Sequence, residues 1–427
     1  MSPDSSPDSL SYEDAAVLVA KFAAKLARTR RPIERVKLQH AAGRVLAQPI
    51  RADRDQPPFA RSTRDGFACR AAEASAHGPL AVTGATRAGD APSGPLVRGS
   101  AWEIMTGAPV PRGADAVVML EHVEVVNGRV RLLAPRTVEA GENIVEKGAQ
   151  ARKGAELLPA GTAIGAAQIA LAAACGCAIL PVFRKPRVAI LATGDELVPV
   201  ASSPAPGKIR NSNAPMLAAM ATALGGEPKI LPVARDNAKA LDRALARSAD
   251  ADLLLITGGV SAGKFDLVEP ALARAGGRFH FTGVRIQPGK PTVFGELPRR
   301  HGTNPVQNKN GTKCYCFGLP GNPVSSAVTF LLFAAPVLAA LGGSRQMYPR
   351  FALAKLAHGV KVNPGLTRFL PAACKFGRAI SSSEPEVALV HWQGSGDIAA
   401  MARANCFLVV PEDARLNAGS IVRVLLV

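Results

Sequence analysis

Continuous apolar runs followed by glycine-rich loops are the most informative pattern in the sequence. Three of these runs cover residues 188–191, 253–256 and 316–319, and each leads through glycine into a segment of helical character. Continuous runs, unlike alternating ones, predict strands covered on both faces, as in a parallel sheet between helices. Helical patterns follow at 214–224, 236–248, 265–275 and 324–341, the last with a kink at Pro336. The pattern predicts a doubly wound α/β domain over 185–343.

The flanking regions have a different texture. Residues 11–30 form an amphipathic pattern that Ser11 is suited to cap, and residues 161–175 return to a helical pattern that we expect to pack on this first helix. Between them, 51–147 is broken into short apolar runs typical of a β-rich module, and β texture returns from 344 to a final strand over 421–427. Predicted strands of the module are 117–120, 123–126 and 130–133, the last two joined by an Asn127–Gly128 hairpin. The domains predicted are therefore 1–50 with 148–184, an inserted 51–147, then 185–343 and 344–427.

The three glycine-rich loops predict an anion site. In open parallel sheets, ligands bind beyond the carboxyl ends of the strands, where these loops would gather. Glycine lets backbone amides approach an anion closely, and a helix N-terminus adds partial positive charge. We therefore expect the centre of the protein to bind a phosphate or another oxyanion.

The loop over 258–264 is similar to the phosphate loop of nucleotide hydrolases. That motif requires Ser or Thr after its lysine to hold magnesium, and here Phe265 follows Lys264, which disfavours a nucleoside triphosphatase. The loop retains the means to bind phosphate through Gly258, Gly259 and Ser261. Asp266 is either a cation ligand or a helix cap, and the residues alone leave both readings open.

Two further loops combine stiffness with charge. Asp195 and Glu196 stand at a strand-to-helix turn, where two acids beside a phosphate imply an intervening cation or recognition of ribose hydroxyls. Lys290 lies between Pro288 and Pro291, so it either meets an oxyanion at small entropic cost or is simply solvated. The loop 320–323 is stiffened in the same way by two prolines.

Composition narrows the ligand class. A net charge of +18 fits a polyanionic partner, but the basic residues are dispersed and only 5% of residues are aromatic, which disfavours nucleic acid. The seven cysteines lack zinc spacing and are expected to be buried, reduced thiols. The N-terminus is unlike a targeting signal, and the apolar stretch 164–183 predicts a buried helix followed by a strand rather than a membrane span. We expect a soluble, cytoplasmic protein that binds neither membrane nor nucleic acid.

Taken in order, these segments resemble the molybdopterin molybdenumtransferases, the family that includes the gephyrin E domain. The resemblance implies a multidomain α/β plus β fold: a two-segment helical domain, an inserted β-rich domain, a central doubly wound three-layer α/β domain and a C-terminal β-barrel-like domain. It also implies a homodimer whose active site lies where the α/β domain meets the partner subunit. The matching segments are 62–68, 103–118, 141–144, 188–198, 208–216, 253–271, 284–295, 317–328 and 393–407.

The implied reaction inserts molybdenum from molybdate into adenylylated molybdopterin, with release of AMP and help from Mg²⁺. Contacts with other molybdenum-cofactor synthesis enzymes are a further expectation. These substrates are polyanions, in keeping with glycine loops and positive charge.

The resemblance also implies roles at individual positions. Around the nucleotide it places Thr193, Gly194, Glu196, Gly258, Gly259 and Ser261. As metal ligands it implies Asp266 and Asp236, and near molybdate or the terminal phosphate Lys290, Pro320, Pro323 and Ser395. From the inserted domain it brings Asp65, Thr106 and Glu142 to the same cleft, across the subunit boundary.

Two positions depart from the family pattern. Gln287 stands where some relatives have lysine, and in 365–371 both expected arginines are replaced while Arg368 appears between them. Arg368 is the candidate substitute in the molybdate pocket. Two alternative functions stay open: a molybdopterin adenylyltransferase, which needs only the α/β domain, and a pterin-binding scaffold without turnover.

Overall fold

Three six-stranded sheets organise the fold. The computed structural model describes residues 9–90, 94–259, 267–298, 313–375 and 384–427. Within these ranges the chain is a multidomain α/β and β protein, which confirms the expected fold class. Each sheet has its own place: one in the inserted region, one at the centre and one near the C-terminus.

The N-terminal region begins with helix α1. The Asp14 amide donates to Ser11 Oγ at 3.0 Å, so the predicted cap is confirmed. One face of α1 is buried against the central domain and against the C-terminal domain, where the Tyr12 and Phe369 rings are 5.3 Å apart. The elements are α1 Tyr12–Ala27, β1 Ile33–Lys37, a 3₁₀ turn Leu38–His40 and β2 Ile50–Arg51.

The inserted region forms a mostly antiparallel sheet with its own hydrophobic core. Asn127 and Gly128 both have positive φ and join two antiparallel strands, so the predicted hairpin is confirmed. Sheet order is β7-β4-β6-β5-β9-β8. The elements are β3 Arg61–Ser62, β4 Gly66–Cys69, α2 Ala71–Ser75, β5 Leu80–Thr86, β6 Ser100–Ile104, β7 Ala116–Met119, a 3₁₀ turn Leu120–His122, β8 Val123–Val126, β9 Arg129–Leu132 and β10 Ile144–Val145.

The chain then returns to β1 and β2 through β11 Glu156–Leu158, α3 Ala166–Ala174 and β12 Ile179–Phe183. Two expectations about α3 are wrong. The helix belongs to a different hydrophobic cluster from α1, and most of its residues are exposed or half-buried rather than buried. Its alanine-rich sequence predicts a helix but does not specify a packing face, because nearly every position is small and apolar.

The central sheet has the order β16-β13-β17-β21-β20-β18, in which β16, β13, β17 and β21 are parallel and the last two strands antiparallel. One face packs against α1, α4 and α7, the other against α5 and α6, which gives three layers. The elements are β13 Arg187–Ala192, β14 Leu197–Val198, β15 Ile209–Arg210, α4 Asn213–Ala223, β16 Glu227–Ile230, α5 Ala238–Arg247, β17 Leu253–Thr257, α6 Val268–Arg274, β18 Arg278–Phe281, β19 Ile286–Gln287, β20 Val293–Pro298, β21 Lys313–Leu319 and α7 Pro323–Leu341.

Helix α7 is long and apolar enough to cross a membrane, but 78% of its most apolar window is buried inside the protein, as expected of a core helix. A π-helical turn over Phe330–Ala334 ends two residues before Pro336. Proline cannot donate a helical hydrogen bond, so the irregular turn lies where the sequence predicts a disturbance.

The C-terminal region closes into a five-stranded barrel through the pairings β23–β24, β24–β22, β22–β26, β26–β25 and β25–β23. β19 of the central region adds to the barrel beside β23. The elements are β22 Phe351–Leu356, β23 Thr367–Lys375, β24 Glu386–Leu389, α8 Ile398–Arg403, β25 Cys406–Val410 and β26 Ile421–Leu426.

Candidate active site

A cavity of about 640 Å³ lies at the carboxyl ends of β13, β17 and β21. Most residues that line it belong to the loops that follow these strands and to the start of α4. The residues predicted from the sequence that line it are Thr193, Gly194, Glu196, Asp236, Gly258, Gly259, Pro320 and Pro323. The expectation of a site beyond the strand ends therefore agrees with the geometry.

Hydrogen bonds tie the three loops to one another. The Thr193 amide donates to Thr257 O at 3.0 Å, and the Gly258 amide donates to Leu319 O at 3.1 Å. The Thr257 hydroxyl donates to Pro320 O at 3.1 Å. These bonds continue the pairing of the parallel strands past their ends, so the loops are held at fixed separations before any ligand binds.

Glycine at 258 and 259 is required by both backbone conformation and space. Their φ angles are +94° and +64°, in the left-handed region. A Cβ at Gly258 would lie 2.5 Å from Thr193 O, and one at Gly259 would lie 2.9 Å from Thr193 Oγ1. The backbone of one loop therefore approaches that of the next more closely than any side chain would permit.

Asn213, the first residue of α4, holds a position that sequence reasoning missed. Its Nδ2 donates to Thr257 Oγ1 at 2.8 Å and to Gly321 O at 2.7 Å, which links α4 to two of the loops. Asn211 Oδ1 accepts from the Ala214 amide at 3.1 Å and so caps the helix at the cavity. The sequence marks only the helix start here, since polar residues 211–213 open a predicted helix directly after the 197–210 segment.

The acidic residues of the cavity gather on one side. Glu196 lies against Gly194, whose added Cβ would be 2.6 Å from either carboxylate oxygen. Desolvation raises the pKa of Asp236; the nearby charges of Asp195 and Glu196 add to the shift, and a hydrogen bond from the Asp195 amide opposes it. An acid whose pKa is raised by burial and further by like-charged neighbours indicates a place where a cation would stabilise the ionised form.

The proline-rich edge joins the central domain to the barrel. Pro291 lines the cavity, and its neighbour Lys290 has a carbonyl that accepts from the amides of Val284 and Thr292. Ser395 lies next to Gly396 of the cavity wall; its hydroxyl accepts from Asn322 Nδ2 at 2.7 Å, and its carbonyl accepts from the Val324 amide.

The two departures from the family pattern contact each other. Arg368, which is 8% exposed, donates through Nε to Gln287 Oε1 at 2.8 Å and through a terminal nitrogen to Leu366 O at 3.2 Å. The pair lies on the parallel register between β19 and β23. Arg368 therefore uses two of its donors in hydrogen bonds within the protein, at the start of the loop that carries Lys290.

The predicted residues of the inserted domain form a separate cluster. The Thr106 amide and hydroxyl donate to Asp65 Oδ1 at 2.6 and 2.9 Å, and both bonds lower the pKa of Asp65. Glu142 pairs with Arg136 and accepts from the Glu139 amide. Among the described residues that line the cavity, none comes from this cluster.

Several predictions stay untested in this chain. Ser261, Lys264 and Asp266 lie outside the described residues. Within the described ranges, His, Cys, Asp and Glu side chains form no group of three or more arranged to hold a metal ion. Of the cysteines, six are buried, and burial raises the pKa of Cys69 to about 12 and that of Cys406 to about 11, so these thiols are protonated at neutral pH.

Comparisons with known proteins cover the whole length. The chain matches the MoeA N-terminal region (domain I and II) over residues 10–176, a probable molybdopterin-binding domain over 189–340 and the MoeA C-terminal region (domain IV) over 353–427. It is 38% identical to the molybdopterin molybdenumtransferase of a Nostoc species, covering 78% of this chain and 74% of the relative. Its identity to the Bacillus subtilis enzyme of the same name is 35%, covering 92% and 90%. A crystal structure of the Pyrococcus horikoshii molybdopterin biosynthesis MoeA protein aligns with a TM-score of 0.78 and 28% identity, covering 98% and 100% of the two chains.

Proposed function

Because the chain belongs to the MoeA family of molybdopterin molybdenumtransferases, we propose that it inserts molybdenum from molybdate into adenylylated molybdopterin and releases AMP. The protein is a transferase of molybdenum-cofactor biosynthesis. Its cavity supports molybdenum insertion with AMP release, because close-packed glycine turns and neighbouring acids meet there at one sheet edge.

The glycine turns suit the diphosphate of this substrate. Gly258 and Gly259 lack side chains, so the loop backbone itself lines the cavity, and the α4 N-terminus adds partial positive charge. Charge that builds on the departing AMP phosphate would be stabilised by donors fixed beforehand, without reorganisation. Arg210 of the cavity wall adds a cation in reach of the same polyanion. These residues bind and orient; none is needed as a nucleophile.

Glu196 and Asp236 fit a magnesium ion shared with the substrate. Mg²⁺ is commonly held by one or two carboxylates together with substrate phosphates and water, so a protein cage of three acids is not required. Burial raises the pKa of Asp236, and the nearby charges of Asp195 and Glu196 raise it further, which supports a cation site on this side of the cavity. Bound there, Mg²⁺ would offset negative charge on the bridging diphosphate. Asp266 remains a proposed third ligand.

Molybdate is proposed to bind at the proline-rich edge, near Lys290, Pro320, Pro323 and Ser395. The Lys290 loop is stiffened by prolines and attached to the barrel by the Gln287–Arg368 hydrogen bond. Arg368 acts here by holding this loop, since two of its donors already have protein acceptors.

We further propose that Asp65, Thr106 and Glu142 act on the cavity of a second subunit in a homodimer. Their absence from this chain's described cavity wall supports an intersubunit role. Mixing inactive Asp65→Asn and Asp236→Asn proteins would then restore about a quarter of native activity, because half of random dimers are mixed and each has one intact site. If the mixture stays as inactive as the separate variants after subunit exchange, the two subunits do not share an active site.

The decisive experiment follows AMP formation from adenylylated molybdopterin with and without molybdate and Mg²⁺. We expect AMP release only when both are present. Release of pyrophosphate from ATP and molybdopterin would instead identify an adenylyltransferase, and binding without AMP release under any condition would identify a scaffold. Cytoplasmic location and transfer of the product to other molybdenum-cofactor synthesis enzymes belong to the same proposal.

A further inference from the structure

Two buried oxygen atoms of the cavity wall lack a hydrogen-bond partner within the described ranges: Asn213 Oδ1 and Thr193 Oγ1. Asn213 is 8% and Thr193 3% exposed, and both residues line the cavity. A buried polar atom left without a partner costs free energy, about 1–3 kcal/mol for a neutral group. Native proteins rarely carry such atoms unless a ligand, water or ion completes them.

The orientation of the Asn213 amide follows from its partners. The Thr257 hydroxyl donates to Pro320 O, so at Asn213 it must accept. Gly321 O accepts only. Both neighbours therefore require the nitrogen of Asn213, and the reversed amide would place two acceptors 2.7 Å apart. The atom without a partner is thus an acceptor, held in place by two bonds on the other side of the amide.

We infer that Asn213 Oδ1 is a specificity-determining atom that accepts a hydrogen bond from an N–H or O–H group of the bound substrate. This inference rests on the proposed function and adds to it. An ionised phosphate or molybdate oxygen only accepts hydrogen bonds, so it cannot pair with another acceptor. Asn213 Oδ1 therefore contacts a different part of the substrate from the glycine turns. The donors available are the adenine amino group, the ribose hydroxyls and the N–H groups of the pterin.

The inference separates two roles of one side chain. Asn213 Nδ2 joins the loops, whereas Asn213 Oδ1 contacts the ligand. Asn213→Asp keeps an acceptor, loses the two donated bonds and places its second oxygen against Gly321 O, while Asn213→Ala loses both functions. Comparing these variants isolates the acceptor from the structural bonds, because any loosening of the loops and any repulsion of the phosphate by aspartate weakens all ligands by one common factor.

The test is equilibrium binding of AMP, 2′-deoxy-AMP, 3′-deoxy-AMP and purine riboside 5′-monophosphate, which lacks the amino group, with molybdopterin as a separate ligand. We expect wild-type and Asn213→Asp proteins to bind AMP about tenfold more tightly than one of the three analogues, and Asn213→Ala to bind them alike. A pterin donor would appear instead as a loss of molybdopterin affinity in Asn213→Ala that exceeds the loss in Asn213→Asp.

The inference is overturned if Asn213→Ala keeps the wild-type ratio between AMP and every analogue and binds molybdopterin no worse than Asn213→Asp. Wild-type protein that releases AMP in the transferase assay yet gives this result leaves the proposed function standing. Wild-type protein that binds neither AMP nor molybdopterin refutes the proposed site itself.

Thr193→Val supplies an independent check that does not depend on Asn213 variants folding. Valine replaces the hydroxyl without removing any hydrogen bond among the described residues, so we expect a higher melting temperature for the free protein and about tenfold weaker binding of AMP or molybdopterin. The matched control is Thr86→Val, since Thr86 is equally buried but accepts from Trp102 Nε1 at 2.6 Å. It should lower the melting temperature and leave binding unchanged. A lower melting temperature and unaltered binding in Thr193→Val would assign Thr193 a purely structural role.

Discussion

The cavity of the central domain and the acidic cluster of the inserted domain both place polar residues on loops, but they differ in how far protein hydrogen bonds and ion pairs satisfy those residues. At the cavity, hydrogen bonds join the loops, two buried oxygens have no partner among the residues that the structure describes, and the pKa of Asp236 is raised. In the inserted domain, two hydrogen bonds from Thr106 lower the pKa of Asp65, and Glu142 forms an ion pair with Arg136. Polar groups of the first region thus have fewer protein partners among the described residues than the acids of the second, whose charges are already paired or hydrogen-bonded.

Removing an acid from the cavity is expected to have the largest effect on activity. We expect Asp236→Asn to lower magnesium-dependent AMP release by about 100-fold, the typical effect of losing one electrostatic contact to a developing charge. Because the folded protein raises the pKa of Asp236, the ionised group destabilises the fold above that pKa, so the variant should melt at a slightly higher temperature at pH 7. Asp242→Asn, in an exposed ion pair with Arg274, is the control and should keep full activity.

Adding a Cβ at Gly258 tests whether close loop packing contributes to stability in addition to the cost of positive φ. Gly258→Ala combines positive φ with a contact of 2.5 Å to Thr193 O, so we expect a loss of about 3 kcal/mol in the free energy of unfolding, together with weak AMP binding. Gly154→Ala has a similar φ of +84°, and its Cβ would meet no described atom within 4 Å. Its loss should be about 1 kcal/mol. Equal losses in urea denaturation would contradict the packing argument.

Gln287→Lys tests the link between the cavity edge and the barrel. The lysine removes the acceptor of Arg368 Nε and adds a like charge beside it. We expect unfolding free energy to fall by about 2 kcal/mol, as for a lost hydrogen bond to a charged group. Gln287→Glu keeps the acceptor and adds an ion pair, so it should be at least as stable as wild type. A stabilised Gln287→Lys protein would show that Arg368 has another arrangement.

The smallest effect is expected in the inserted domain. Thr106→Val removes one of the two hydrogen bonds that lower the pKa of Asp65, so this pKa should rise toward its ordinary value in an NMR titration. A lowered acid pKa stabilises the fold above the unfolded-state pKa and is lost as pH falls through the folded-state value. The variant should therefore be less stable than wild type at pH 7, lose less stability on acidification, and match wild type at a pH below the folded-state pKa of Asp65. An unchanged Asp65 pKa would contradict the assigned hydrogen bond.

Local signals in the sequence were sufficient for the elements that form the site. Continuous apolar runs located β13, β17 and β21, and glycine with positive φ marked the loops between them. Ser11 and the Asn127–Gly128 pair were equally readable, because caps and tight turns depend on few neighbouring residues.

Long-range contacts were not readable in the same way. The packing of α1 on the central domain, instead of on α3, depends on which apolar faces fit together, and periodicity does not encode a partner. Asn213 was missed because its importance lies in bonds to Thr257 and Gly321, 44 and 108 residues away. The contact between Gln287 and Arg368 explains two departures that look unrelated along the chain.

The hydrophobic cluster that runs from α1 through the central helices to Phe369 of the barrel has a consequence for heat denaturation. Residues from all three parts share one buried core, while the core of the inserted region is built from its own residues. The shared core should therefore melt as a single cooperative block, and the insert should give its own calorimetric transition. Deleting the residues before 28, which include α1, would destabilise the barrel and the central sheet together. The inserted region would then keep its own core.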